Sequence, residues 1–243
     1  MAKAYEVKFE KLSFGYPGAA TILNEVDFRI GKGEVVALAS AVGSGRSTFL
    51  KLLAGIVMPV EGQLNIDGMN FWEYSAIERN EMRRKICFFF QDASLIANEM
   101  IFDNLALELR YHDDWDEAKI KKMIMARLNE LGLDKFANSR PATLSFDQQR
   151  KVAFIRSTLS EGSFYCWDEP TQGVSSSMVR RIESFILERK REGIPSMIAS
   201  YDEDFVMNVA TRLIVLKDHK ICYDGEVKKE LLSQDVIEKR DEG

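Results

Sequence analysis

Residues 40–48 have the sequence Ser40-Ala41-Val42-Gly43-Ser44-Gly45-Arg46-Ser47-Thr48, a loop of small residues between two strongly patterned segments. The residues before it, 35–39, form a continuous apolar run, which predicts a buried strand of a parallel sheet. The residues after it, 46–54, carry apolar side chains at helical spacing and end at Gly55. A strand, a glycine-rich loop and a helix in this order can bind phosphate, because successive backbone N–H groups and the helix N-terminus surround the anion.

The loop departs from the phosphate-loop pattern G-x-x-x-x-G-K-[ST] at its first glycine and at its lysine. A guanidinium keeps the positive charge of lysine, but it is planar and bulkier than an ammonium group. The pattern therefore favours nucleotide binding over efficient chemistry at the γ-phosphate, and a plain strand-to-helix turn is the alternative. The positions expected to contact the nucleotide are Ser40, Gly43, Ser44, Gly45, Arg46, Ser47 and Thr48, with the Ser47 hydroxyl also expected to bind Mg²⁺.

Composition sets the class of protein. With 243 residues, of which 46% are hydrophobic and 29% charged, the chain is expected to fold around a substantial core. The net charge is −5, whereas nucleic-acid binders usually carry a basic surface. The sequence has no apolar run of about 18 residues, and its first residues do not resemble a secretory signal. Three widely spaced cysteines fit buried free thiols. These features predict a soluble cytoplasmic protein that does not bind nucleic acid.

A second candidate segment is the apolar strand 164–167, which is followed by Asp168 and Glu169. A carboxylate at the carboxyl end of a strand can bind Mg²⁺ next to a phosphate loop. The adjacent Glu169 can then polarise an attacking water as a general base. Because an acidic turn after a strand is common, this segment is informative only in combination with the loop at residues 40–48.

The segments divide the chain into an α/β core and a helical insertion. The first part alternates as strands, residues 92–150 show mostly helical periodicity, and the last third alternates between strands and helices. The simplest account is a single α/β unit in which residues 1–91 and 151–243 form the core and residues 92–150 are inserted.

Several further motifs stand in a fixed order along the chain. They are Tyr16, Gln91, Leu144-Ser145-Phe146-Asp147-Gln148, Asp168-Glu169-Pro170-Thr171 and Ser200-Tyr201-Asp202. In order and spacing they resemble the ATP-binding subunit of an ATP-binding-cassette (ABC) transporter over essentially the whole chain. The resemblance implies a P-loop NTPase fold of the ABC type, with a RecA-like α/β core, an N-terminal antiparallel β-subdomain and an inserted α-helical subdomain. It also implies ATP and Mg²⁺ as cofactors.

The resemblance assigns a role to each motif residue. Tyr16 would stack on adenine, and Asp168 and Gln91 would serve Mg²⁺, with Gln91 coupling that site to the helical subdomain. Glu169 would be the catalytic base, and Tyr201 stands at the position of the switch histidine. Ser145 and Gln148 belong to the signature motif, in which Ser145 would contact the γ-phosphate of a nucleotide held by the opposite subunit. Alone, each residue has an ordinary alternative, such as a helix N-cap for Ser145.

Departures from the family pattern point to weak catalysis. Phe146 and Asp147 replace the two glycines of the signature, and the carboxylate of Asp147 would repel the partner's γ-phosphate in a partly desolvated site. Tyr201 has no cationic form, and Ser175 stands where an aspartate is expected. We expect retained ATP binding with weak or absent hydrolysis. The alternatives are a working ATPase subunit and a non-catalytic regulatory or scaffold module, paired with an active ATPase or a division-type membrane partner.

A chain without a membrane span requires other subunits for transport. The resemblance implies a transmembrane permease subunit, a second ATP-binding subunit in a homo- or heterodimer, and a peripheral location on the inner face of the cell membrane. Residues 101–110, together with the Gln91 loop, resemble the ATPase subunits of Mla-type phospholipid-trafficking systems. The apolar residues of segment 95–102 form either part of the core or a groove for the permease.

Overall fold

The structure is a computed structural model that describes residues 6–41, 43–110 and 115–232. Its strands are β1 (Val7–Gly15), β2 (Thr21–Ile30), β3 (Val35–Ser40), β4 (Glu61–Ile66), β5 (Met69–Asn70), β6 (Ile86–Phe89), β7 (Phe164–Asp168), β8 (Ser196–Ala199), β9 (Arg212–Lys217) and β10 (Lys220–Gly225). Its α-helices are α1 (Arg46–Leu53), α2 (Ala76–Arg84), α3 (Ile101–Arg110), α4 (Glu117–Glu130), α5 (Phe146–Leu159), α6 (Ser176–Arg191) and α7 (Glu203–Val209).

The first sheet is antiparallel, with the strand order β2-β1-β4-β5. Phe9 pairs with Phe28 on one side and with Leu64 on the other. The rings of Phe9 and Phe28 pack against Phe49 of α1, with centroid separations of 5.1 and 5.3 Å. The buried face of this sheet therefore rests on the helix that follows the glycine-rich loop.

The second sheet has the order β10-β9-β3-β8-β7-β6, and every neighbouring pair except β9 with β10 is parallel. Every residue of β3 and β7 is buried, as expected for strands covered on both faces. Because β3 and β7 both flank β8, the residues that follow their carboxyl ends meet at one edge of the sheet. This edge brings the loop 40–48, Asp168-Glu169 and Tyr201 together.

Helices α3 and α4 and one face of α5 enclose a separate hydrophobic cluster that includes Ile101, Ile124 and Val152. The other face of α5 packs on the parallel sheet, where Phe154 stacks near Trp167. The predicted boundary at residues 150–151 thus lies within one continuous helix, and the division of the chain into core and insertion stays a prediction.

Elements that the sequence analysis left unassigned include β4 and α2. None of residues 76–84 is buried, so α2 has no apolar stripe to reveal it. Its start is instead set by a capping box between Ser75 and Glu78. In the described ranges, no helix is both long and apolar enough to cross a bilayer.

Candidate phosphate site

The glycine-rich loop has a backbone that requires glycine. The Ser44 N–H and Oγ both donate to Ala41 O, at 3.2 and 2.6 Å, and close a turn after β3. Gly43 has φ 80°, and Gly45, the N-cap of α1, has φ 99°. A Cβ on Gly45 would lie 2.2 Å from Ile22 Cγ2. The loop therefore has the tight small-residue backbone that phosphate binding needs.

The residues at the two ends of this loop are buried. Ser40, at the first glycine position of the pattern, is 1% exposed and its Oγ donates to Ala41 O at 3.3 Å. Thr48 is buried in the first turn of α1. The serine at position 40 thus fits within the protein interior. Val42 lies outside the described residues.

The carboxyl end of β7 carries both predicted carboxylates. Asp168 and Glu169 are buried, and the Glu169 N–H donates to Ala199 O of β8 at 2.8 Å while its backbone has φ 46°. Burial raises the pKa of both carboxyl groups above their ordinary values. A hydrogen bond from Ser47 partly opposes this shift in the pKa of Asp168, as the charge of Arg46 does for both groups.

Oxygen donors suitable for Mg²⁺ are present at this place. Ser47 lies beside Asp168, where its hydroxyl lowers the pKa of the carboxyl group, and both side chains offer the oxygen ligands that Mg²⁺ prefers. In the described ranges, no group of three or more His, Cys, Asp or Glu side chains is arranged to hold a metal. Ser47 and Asp168 are the residues that would hold a Mg²⁺ ion beside the phosphate loop.

Arg46 connects the loop to the predicted base and switch residues. Its Nη2 lies 2.9 Å from Glu169 Oε1, and both side chains are nearly buried, at 11% and 8% exposure. Its guanidinium stacks on the Tyr201 ring, with Cζ 3.3 Å from the ring centroid. The Tyr201 N–H in turn donates to Glu169 Oε2 at 3.3 Å. Arg46, Glu169 and Tyr201 form one compact cluster, which we call the arginine cluster.

Wild-type protein is expected to gain stability relative to a Glu169→Gln variant as the pH falls from neutral toward 4.5, the ordinary pKa of this carboxyl group. Because burial raises the pKa of Glu169, the folded state binds a proton above pH 4.5 where the unfolded chain does not. Mass action then favours folding as the pH falls, and the variant lacks this contribution. Urea unfolding of both proteins across this range measures the difference, and a pH-independent difference would contradict the raised pKa.

Arg150 is a site residue that sequence reasoning missed. Its fully buried guanidinium donates from Nη1 to Phe90 O and Gln91 O, at 2.5 and 2.8 Å, and from Nη2 to Glu169 O at 2.6 Å. Burial lowers its pKa to about 10. The sequence did contain a sign of this position, because Arg150 lies four residues before the buried Phe154 and therefore on the apolar face of α5. Arg150 holds the backbones of the two segments that carry Gln91 and Glu169.

The Gln91 side chain is exposed, and its Nε2 donates to Gln172 Oε1 at 3.2 Å. This contact joins the end of β6 to the segment after Glu169. The role of Gln91 at the Mg²⁺ site stays a prediction.

The signature segment begins α5. Ser145 is the N-cap, and its Oγ accepts a hydrogen bond from Gln148 N at 3.3 Å while Gln148 Oε1 accepts one from Ser145 N at 2.9 Å. The helix therefore starts at Phe146. In this chain Ser145 caps the N-terminus of α5, as its ordinary alternative role predicted. Contact of Ser145 and Gln148 with a nucleotide held by a second subunit stays a prediction.

Phe146 and Asp147 contact the segment after Glu169. Asp147 Oδ1 accepts from Ser175 N at 3.1 Å, and its Oδ2 pairs with Lys151 Nζ at 2.6 Å. Phe146 is half exposed and covers Gly173 so closely that a Cβ there would lie 2.2 Å from Phe146 Cε1. These contacts join residues 146–147 to residues 173–175 within one chain.

Tyr16, predicted to stack on adenine, lies on the surface. It is 39% exposed, and its ring packs edge-on against Phe14 at a centroid distance of 5.0 Å. Its contact with a base stays a prediction.

Comparisons with known proteins agree with this geometry. The family model described as ABC transporter matches residues 23–172. This chain belongs to that family. It is 27% identical over 226 residues to the intermembrane phospholipid transport system ATP-binding protein MlaF of Haemophilus influenzae, covering 90% of this chain and 83% of that protein. The predicted cassette identity is confirmed.

A longer ABC transporter ATP-binding protein of Vibrio vulnificus is 31% identical over 216 residues, which cover 88% of this chain and 37% of that protein. Among solved structures, the chain is similar to the dimeric post-hydrolysis state of the ATP-binding cassette MJ0796 bound to ADP and Pi. The TM-score is 0.82 at 26% identity, and the match covers 91% of this chain and 99% of that one. The predicted ABC-type P-loop fold is confirmed.

Proposed function

We propose that this chain is an ATP-binding subunit of a transport complex that binds ATP with Mg²⁺ and hydrolyses it slowly or not at all. The observation that carries the proposal is the arginine cluster, in which the cation of the phosphate loop pairs with the predicted base at 2.9 Å. The charge of Arg46 opposes the burial-driven rise in the pKa of Glu169, and its guanidinium occupies Glu169 Oε1. While this pair persists, that oxygen is not open to an attacking water, so Glu169 is poorly placed to act as a general base.

Binding of a nucleotide requires rearrangement of the same cluster. The glycine backbone at residues 43–45 offers its N–H groups to the phosphates, whereas Arg46 must leave Glu169 and Tyr201 to reach them. Mg²⁺, when bound, neutralises charge on the outer phosphate oxygens. Tyr201 cannot provide a second cation, so a developing negative charge has less stabilisation than a histidinium at this position would supply.

The signature side of the cassette supports the same proposal. In a head-to-tail dimer, Asp147 would face the partner's γ-phosphate and repel it. Its pairing with Lys151 and Ser175 N reduces this repulsion, because those groups already neutralise part of the carboxylate charge. The arrangement therefore favours a dimer that tolerates nucleotide without closing tightly on it.

The proposed complex contains a transmembrane permease subunit and a second ATP-binding subunit, at the cytoplasmic face of the inner membrane. The similarity to MlaF, whose name states intermembrane phospholipid transport, makes phospholipids the candidate cargo. Ile96 and Met100 are each 44% exposed, and Asn104 Nδ2 fixes their segment by donating to Ile96 O and Met100 O, at 3.1 and 3.0 Å. This rigid, partly apolar surface supports the groove alternative for segment 95–102.

Calorimetric binding of ATP with Mg²⁺ and release of phosphate, measured on wild type and Glu169→Gln, test the proposal. We expect both proteins to bind ATP and their slow phosphate release to differ by less than about threefold, since a working general base contributes about 10²–10⁴-fold. Glu188→Gln, the same chemical change at an exposed position of α6, leaves the arginine cluster intact and is the matched control. Turnover at rates ordinary for transporters that Glu169→Gln abolishes would contradict the proposal and favour a working ATPase. Failure to bind ATP would contradict it as well.

A further inference from the structure

A cavity of about 430 Å³ lies where helices α4, α5 and α6 meet. Its volume is within the range of small-molecule sites. The side chains around it combine three arginines with two aromatic rings, and the lining residues are Arg127, Phe154, Arg180, Arg181, Ser184, Phe185 and Glu188. None of them belongs to the candidate phosphate site, so the cavity is distinct from that site in its residues.

Two of the arginines share one carboxylate oxygen. Arg127 Nη1 and Arg181 Nη1 each lie 3.4 Å from Glu130 Oε2. Strong charge-assisted pairs are about 2.7–2.9 Å long, so this oxygen holds neither guanidinium tightly. Arg127 is also fixed from its other side, because its Nη2 donates to Thr158 O and Thr158 Oγ1 at 3.3 and 3.2 Å. An anion with more oxygens than Glu130 offers can therefore replace it as the partner of both arginines.

The third arginine, Arg180, is exposed, and within the ranges that the structure describes it has no ion-pair partner. Glu188, the carboxylate on the cavity wall, is 61% exposed and lies 3.5 Å from Arg189, outside the wall. The wall thus carries more positive charge than its own carboxylate neutralises, and this charge is concentrated on consecutive positions of α6.

Aromatic surface adjoins these guanidinium groups. The rings of Phe154 and Phe185 pack edge to face, with centroids 5.8 Å apart and an interplanar angle of 81°. Both rings line the cavity, so a ligand there meets apolar surface on one side and cations on the other. This combination suits an anion that carries an apolar or aromatic body.

The number of arginines indicates which anion fits. A phosphomonoester has three terminal oxygens and a charge of about −1.5 to −2 at neutral pH, whereas a carboxylate has two oxygens and one charge. Guanidinium groups bind phosphate oxygens in pairs of parallel hydrogen bonds. We propose that the cavity between α4, α5 and α6 binds a phosphomonoester, with Arg127, Arg180 and Arg181 on the phosphate and Phe154 and Phe185 against the body of the ligand.

The test removes two of the arginines in the double variant Arg180→Gln with Arg181→Gln. Arg140→Gln with Arg191→Gln is the matched control, since both residues are exposed, lie outside the cavity and remove the same charge. Calorimetry with phenyl phosphate and with inorganic phosphate measures the dissociation constants of wild type and both variants. We expect the constant for phenyl phosphate to rise about tenfold in the cavity variant and less than about twofold in the control. Wild type is expected to bind phenyl phosphate about fivefold more tightly than inorganic phosphate, because the phenyl ring buries apolar surface.

Phosphatidic acid in a bilayer carries the same phosphomonoester group as a soluble ester. Sedimentation with phosphatidylcholine vesicles that contain phosphatidic acid therefore distinguishes the two sources. Loss of phenyl phosphate binding in the cavity variant supports a soluble ligand, and a loss confined to the vesicles supports a lipid headgroup.

Equal binding of both probes by all three proteins would overturn the inference, because the probes would then bind at the phosphate loop or by non-specific attraction. Wild type that bound neither probe would overturn it as well. Equal affinity of wild type for phenyl phosphate and inorganic phosphate would overturn the role given to the two rings. Affinity for ATP with Mg²⁺ is expected to be the same in all three proteins, so these outcomes leave the proposed function intact. Thermal unfolding confirms that both variants are folded.

Discussion

Replacement of Arg150 by alanine is expected to lower the free energy of unfolding by about 3–5 kcal/mol. The fully buried guanidinium supplies the hydrogen bonds to Phe90 O, Gln91 O and Glu169 O, and alanine leaves these carbonyls without that donor in a cavity. Each lost charged hydrogen bond costs about 1.5–3 kcal/mol, and the strands relax only in part. Urea denaturation followed by circular dichroism measures the change.

Arg156→Ala is the matched control for this prediction. Arg156 lies on the same helix and donates to Ser94 O and Ala93 O, at 2.6 and 2.9 Å, but its side chain is only half-buried. Water can replace part of what it supplies, and we expect a loss of about 1–2 kcal/mol. Equal losses for the two variants, or a loss below about 1 kcal/mol for Arg150→Ala, would show that the buried bonds of Arg150 do not stabilise the site as inferred.

The apolar runs of β3 and β7 predicted the two strands after which candidate site residues lie. The continuous apolar runs of β3 and β7 indicate strands buried on both faces, and residues after such strands share one edge of a parallel sheet. The structure places loop 40–48 and Asp168 at one edge of the parallel sheet, and their roles toward phosphate and Mg²⁺ stay predictions. The helix α2 gave no such signal, because its capping box and not an apolar face defines it.

Sequence periodicity did not predict the contacts between residues that are far apart in the sequence. Arg46, Glu169 and Tyr201 were each assigned a role singly, but their ion pair and stacking depend on how loops after three different strands approach one another. The buried position of Arg150 depends on carbonyls at the ends of β6 and β7, which only the packed α5 brings within reach. Helical spacing can place an arginine such as Arg150 on the apolar face of a helix, but it does not identify the backbone carbonyls that the guanidinium contacts.

Restoring the family residues at four positions is expected to raise phosphate release about 10²-fold. The variant combines Arg46→Lys, Phe146→Gly, Asp147→Gly and Tyr201→His. Lysine removes the planar guanidinium that stacks on Tyr201 and lies 2.9 Å from Glu169, and a protonated histidine supplies a cation for developing phosphate charge. A single electrostatic contribution of this kind is worth about 10²–10³-fold in rate. The measurement is steady-state phosphate release at saturating ATP and Mg²⁺.

The same variant with Glu169→Gln is the control, and we expect it to fall back to the wild-type rate, because the restored base would then be missing. Glycines in the first turn of α5 cost about 1 kcal/mol each, and Asp147→Gly also removes the contact with Ser175, so retained folding is checked by thermal unfolding. If the folded, ATP-binding variant released phosphate no faster than wild type, the substituted residues would not be what limits hydrolysis. A fast rate that survives Glu169→Gln would show that Glu169 is not the base, since no step would then depend on its carboxylate.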